Sequence, residues 1–121
     1  MEIPKFVPRP VERFLTRRRR TKEAFSLVRQ ARTARGNEEV QIQVLERAIS
    51  LTARDRGRNV NRVNALAHEL AGDLLLAENP RAARRHYEAS LWSQLRAYQN
   101  TEEFLRKGRR TRDKLHPLIF P

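Results

Sequence analysis

The 121-residue chain contains no cysteine. That excludes a disulfide framework, a thiolate metal site and a cysteine nucleophile, and it fits a reducing compartment. Its four glycines all stand alone, so no Gly-rich loop is available to cradle a nucleotide phosphate. No apolar run approaches the roughly 18 residues that a membrane-spanning helix needs. Neither HExxH nor G-x-S-x-G occurs, which removes the two commonest hydrolase signatures. The histidines His68, His86 and His116 read as polar residues at helix edges; the sharper alternative is a metal or acid–base pairing of His68 and Glu69 with His86 and Glu88. The expectation is a non-enzymatic chain with no catalytic residue, no cofactor and no metal. The opening Met1-Glu2-Ile3-Pro4 lacks the apolar segment of a secretory signal. Glu2, Glu12, Pro4, Pro8 and Pro10 also suit a mitochondrial presequence poorly. An intracellular location is therefore expected, in the cytoplasm or, uncleaved, in a mitochondrial or other organellar matrix.

Acids are scarce as well: 14 Asp and Glu face 26 Lys and Arg, a net charge of +12. The excess is uneven. Residues 1–35 carry eleven basic residues against three acids, residues 36–100 nine against eight, and residues 101–121 six against three. A nearly neutral middle between two basic ends reads as a packed body with charged arms. Arg supplies 22 of the 26 cations. Its planar fork binds phosphate through two hydrogen bonds where Lys offers a point charge, although a GC-rich genome would raise the same ratio.

The first ten residues hold three prolines and read as an extended arm, with Ile3, Phe6 and Val7 as apolar anchors. Val11, Phe14 and Leu15 share a face of a short helix starting near Pro10. Five helices follow. The first, from about Lys22 to Arg35, buries Ala24, Leu27, Val28, Ala31 and Ala34, and Gly36 ends it. Asn37 caps the second, which reaches about Arg54 and is apolar on more than half its circumference, so it belongs between neighbours. After the basic turn "RDRGRN" (54–59), a third helix from about Val60 to Ala77 buries Val63, Leu66, Ala67, Leu70, Ala71 and Leu74. Asn79 and Pro80 start the fourth, with Ala83, Tyr87, Leu91, Leu95 and Tyr98 on one face. Asn100 with Glu103 opens a fifth helix that carries Phe104, Leu105 and Leu115 and is weakened by Gly108. The end, "LHPLIFP", reads as an extended apolar tail.

The fold class read from this is all-α: two stacked antiparallel helix hairpins plus a C-terminal helix, with an extended basic N-terminal arm and an apolar C-terminal tail. The expected division is an arm at 1–20, a helical-repeat domain at 21–115 and a tail at 116–121. In the second hairpin, Leu70-Ala71 and Leu74 precede the turn, and Ala83, Tyr87, Ser90 and Leu91 follow it. This Leu-small pair, turn and small-x₃-aromatic-x₂-small-Leu run resembles a tetratricopeptide repeat, well over residues 64–98 and loosely over 25–53. The resemblance implies stacked helix pairs. Such arrays need about three repeats to bury a continuous core, so two must be completed by the last helix, the arms or a partner.

The residues expected to meet nucleic acid are Arg13, Arg17, Arg18, Arg19, Arg20 and Lys22 in the first cluster, and Arg106, Arg109 and Arg110 near the end. On the fourth helix, Arg81, Arg85, Trp92 and Arg96 fall within about 60° of one another. There Trp92 either stacks on bases or packs under the fifth helix. Ile3, Phe6, Val7, Phe14, Leu118, Ile119 and Phe120 are the expected partner-binding residues. Together these suggest a structural subunit of a large ribonucleoprotein, such as an organellar or other ribosome-like particle, that binds RNA phosphates through basic arms and protein neighbours through its hairpins. The alternative is a scaffold subunit of a protein assembly, its basic arms on an anionic membrane surface or acidic neighbours.

Overall fold

The computed structural model describes the backbone of residues 9–34, 36–98 and 100–121, and within these the side chains from Leu15 onward. Among the described residues six helices make up the regular structure: α1 (Arg9–Thr33), α2 (Glu38–Thr52), α3 (Arg58–Leu75), α4 (Pro80–Ala97), α5 (Thr101–Lys107) and α6 (Arg109–Ile119). Among the described residues there is no strand, and no helix is long and apolar enough to cross a membrane. Ile3, Phe6 and Val7, and the side chains of Arg13 and Phe14, lie outside the described residues.

Three asparagines set the helix starts. Asn37 Oδ1 accepts from the Val40 N–H at 3.2 Å, Asn79 from Ala82 at 3.1 Å and Asn100 from Glu103 at 2.8 Å. Each satisfies an amide that has no partner within its helix. Gly36, at φ +90°, follows α1 in the left-handed region that ends helices cheaply only for glycine. The α1–α2 and α3–α4 pairs form the two hairpins, and α2 and α3 pack them together.

At both ends of the chain the expected boundaries give way. The sequence suggests a short helix, an arm ending at residue 20 and a new helix from Lys22, but α1 runs unbroken through that junction. Arginine is a good helix former, and nothing between Val11 and Thr33 breaks the turn-to-turn bonding. The tail expected to be extended from His116 is helical to Ile119, with Pro117 inside α6. Proline removes one hydrogen bond there, while Leu118 and Ile119 join Leu75 and Leu91 around the buried Ala83, Tyr87 and Leu115. These two residues are therefore part of the protein's own packing rather than a free docking tail; Phe120 stays 68% exposed, with its ring 5.1 Å from that of His116. The single expected C-terminal helix is two, divided at Gly108.

The main core is alanine-rich. Ala24, Val28 and Ala31 of α1 meet Leu45 and Ala48 of α2 and Val63, Ala67 and Ala71 of α3, with seven partly buried aliphatics around them. The face of α4 differs from its expected stripe. Ala83 and Tyr87 are buried as anticipated, but Leu95 is 46% exposed, and Ser90, Ser93, Gln94 and Ala97 take the inner positions. A polar seam results. Ser93 donates to Asn64 Oδ1 at 2.6 Å, and Asn64 donates to Thr52 at 3.0 Å. Ser90 donates to the Ala65 carbonyl at 2.7 Å. Gln94 Nε2 donates to Ser90 and to Thr111 of α6, and Thr111 donates to Glu69 at 2.8 Å. Buried polar groups are tolerable when bonded in this way, and Gln94 Oε1 is the seam atom left buried without a partner among the described residues.

Candidate nucleic-acid interface

The α2–α3 turn lies against the middle of α1, where the four consecutive arginines sit. In a helix, residues three apart share a side, and Arg17 and Arg20 both face this turn. Arg20 grips Asp55 with two parallel bonds, Nη2 to Oδ1 at 2.7 Å and Nε to Oδ2 at 2.9 Å. Arg17 donates to the Arg56 carbonyl at 3.2 Å. The fork matches the carboxylate geometrically, and both the hydrogen bonds donated to Asp55 and the charge of Asp55 raise the Arg20 pKa further. Arg17 and Arg20 thus help attach α1 to the body.

Arg18 and Lys22 lie on the adjoining face, continued by Phe25, at i, i+4 and i+7. With Arg56, Gly57 and Arg58 opposite, they line an open groove of about 520 Å³. Gly57, at φ +145°, makes the bend that places Arg56 and Arg58 on this wall. Phe25 is 40% exposed and also borders a second recess of about 220 Å³, lined by Arg62, Gln94, Tyr98, Lys107 and Arg110. Beyond the turn, Arg54, Arg56, Arg58 and Arg96 border a third, of about 590 Å³.

The acids here are occupied. Asp55 pairs with Arg20; Glu103 with Arg58 at 3.1 Å and Lys107 at 3.2 Å; Glu69 with Arg110 at 2.6 Å and Lys114 at 3.7 Å. Burial alone would raise the Glu69 pKa, but bonds from Arg110 and Thr111 and the nearby charges hold it below the ordinary value. Arg18, Lys22, Arg56 and Arg62 have no acidic partner among the described residues. The field over this end of the bundle is accordingly positive.

The residues singled out in the sequence divide. Arg17, Arg18 and Lys22 line the first groove, Arg20 anchors α1, and Arg19 is exposed but borders none of the three recesses. Arg96 lies across the turn, and Arg110 is tied to Glu69. Trp92 is 62% exposed rather than packed under the following helix; with Arg96 it borders a groove of about 320 Å³. Arg81 and Arg85 are exposed on α4, roughly 10–17 Å of helix rise from Trp92, so the expected arc is spread out. Arg106 is exposed, and Arg109 lies 3.9 Å from Asp113. Phe25, Arg56, Arg58, Arg62 and Tyr98 were not among the expected site residues.

Of the histidines, His68 and His86 meet each other, not a glutamate, with their Nδ1 atoms 2.9 Å apart. One Nδ1 carries the proton and donates to the other, so the rings hold opposite tautomers. Burial, and then the neighbouring ring's charge, push His68 down to about 4. Burial also lowers His86, opposed by Glu46.

Fold and site together define a basic all-α helical protein with a cation-lined, aromatic-bearing end. The chain matches no protein-family model, no curated protein and no solved structure.

Proposed function

We propose that this chain is a non-enzymatic RNA-binding structural subunit of a ribonucleoprotein assembly. The observation that carries the reading is the groove at which Arg18 and Lys22 of α1 meet Arg56 and Arg58 of the α2–α3 turn, with the local acids already paired. Convergent cations from separate elements hold a fixed polyanion better than a solvated run of the same charge, because their positions are set by the fold. Phosphate contacts of this kind fix orientation and read no sequence. The hairpins are read as degenerate tetratricopeptide-like units facing protein neighbours. The pairing of α1 with α2 and α3 with α4 supports this, as does the close fit of Gly72 against Tyr87. An organellar or cytoplasmic ribosome-like particle is the proposed setting.

The test is titration of the full chain against a structured RNA over a range of salt. The combined variant Arg18→Gln, Lys22→Gln, Arg56→Gln and Arg58→Gln should flatten the plot of log K against log salt by about 2–3 units, at roughly 0.7–0.9 per phosphate contact. The loss should be nearly the same for unrelated RNA sequences. Vesicles containing phosphatidylserine are the control. Tighter binding to those than to RNA at matched salt would overturn this reading in favour of a scaffold on an anionic membrane.

A further inference from the structure

Phe25 stands as a ridge between two cation-lined recesses. On one side lie Arg18, Lys22 and Arg58; on the other, Arg62, Lys107 and Tyr98. A phenyl ring left 40% exposed among guanidinium and ammonium groups keeps part of its apolar surface in water and lies outside the α1 core, which Ala24, Val28 and Ala31 supply. From this we infer that Phe25 is a stacking platform for one unpaired RNA base, with the backbone phosphates before and after that nucleotide lying in the two recesses. The inference rests on the RNA reading above and names the form of RNA it would take.

The geometry favours a single strand. Bases in a duplex are stacked inside and cannot reach a side ring, whereas an unpaired base can be splayed onto an aromatic face. Stacking of this kind tolerates any base, since each has a π-face. Charge on both sides of the ridge matches a backbone that passes over it. Glu69, on the wall of the second recess, does not repel the strand because Arg110 and Thr111 hold it.

The experiment measures binding of the full chain to a fluorescein-labelled single strand of roughly 12 nucleotides and to the duplex of the same sequence. Phe25→Leu should weaken single-strand binding about tenfold, leave the duplex and the salt slope unchanged, and keep the helical circular dichroism. Phe25→Trp in a Trp92→Phe background should bind as tightly as Trp92→Phe alone, and its emission should be quenched when the single strand binds. Equal loss for strand and duplex, or no loss with Phe25→Leu, would overturn the inference, as would emission unmoved by bound RNA. Salt-dependent binding with the same single-strand affinity in wild type and Phe25→Leu overturns the stacking role alone. A wild-type chain that binds no RNA overturns the proposed function with it.

Discussion

Gly72 is where one methyl group has the largest predictable effect. A Cβ there would lie 2.7 Å from the Tyr87 ring, and Tyr87 cannot swing aside, being fully buried and bonded to Asp73 at 2.7 Å. Alanine would improve helix propensity by about 0.5–1 kcal/mol, but overpacking costs about 1–3 kcal/mol. Gly72→Ala should therefore lower the urea midpoint, whereas Asn79→Ala should cost about 1 kcal/mol through the lost cap. The histidine pair makes a pH prediction. His68 has a folded pKa near 4 against an ordinary 6.5, so the unfolded chain takes up the proton first. The His68 contribution to stability should be full above about pH 6.5, fall as pH drops towards 4, and level off below, with a slope approaching about 1.4 kcal/mol per pH unit for one proton. His68→Gln should flatten that window. An unchanged slope in denaturant titrations across these pH values would refute the assignment. The sequence offers an approach of His68 to His86 only as an alternative and as part of a pairing with glutamates, and Gly72 acquires meaning only when α3 and α4 are laid side by side.

Among the elements, α1 depends most on a single attachment. Its C-terminal half is held by Ala24, Val28 and Ala31 in the core; at the level of residues 17–21 the ties are polar, chiefly Arg20 to Asp55. Asp55→Asn should reduce amide-exchange protection over residues 17–23 while leaving α3 and α4 unaffected. Uniform loss across the helices would mean that the pair supports the whole fold. The three asparagine caps and both hairpins were legible because each depends on local chemistry and apolar spacing. The true face of α4 was not. After Tyr87 and Leu91, Leu95 follows helical spacing as well as Gln94 does after Tyr87 and Ser90, and hydrophobicity favours Leu95, which is exposed. Only the hydroxyl and amide partners on α3 and α6 decide it. The helical end of the chain was missed because Pro117 argues locally for a stop, while the packing of Leu118 and Ile119 wins.

At the scale of the molecule, antiparallel succession collects alternate connections at one end. The arginine run of α1, the α2–α3 turn and the α4–α5 junction share that end, as the Arg20–Asp55 and Arg58–Glu103 pairs attest. The basic groove was therefore partly legible: once two hairpins are granted, "RDRGRN" must face the arginines. What could not be foreseen is that Arg17 and Arg20 would turn inward and leave Arg18 and Lys22 beside Phe25.

The seam of Thr52, Asn64, Ser90, Ser93, Gln94 and Thr111 has a calorimetric consequence. Unfolding will hydrate hydroxyls and amides where most domains of this size would expose leucine and phenylalanine. Apolar exposure raises heat capacity by about 0.45 cal/K/mol/Å², while polar exposure lowers it by about 0.26. The heat-capacity increment should thus fall below the common value of about 12 cal/mol/K per residue. Differential scanning calorimetry across several pH values would measure it. A small increment flattens the dependence of stability on temperature, so this protein should lose little of its stability on cooling from its optimum and approach its melting point along a shallow curve.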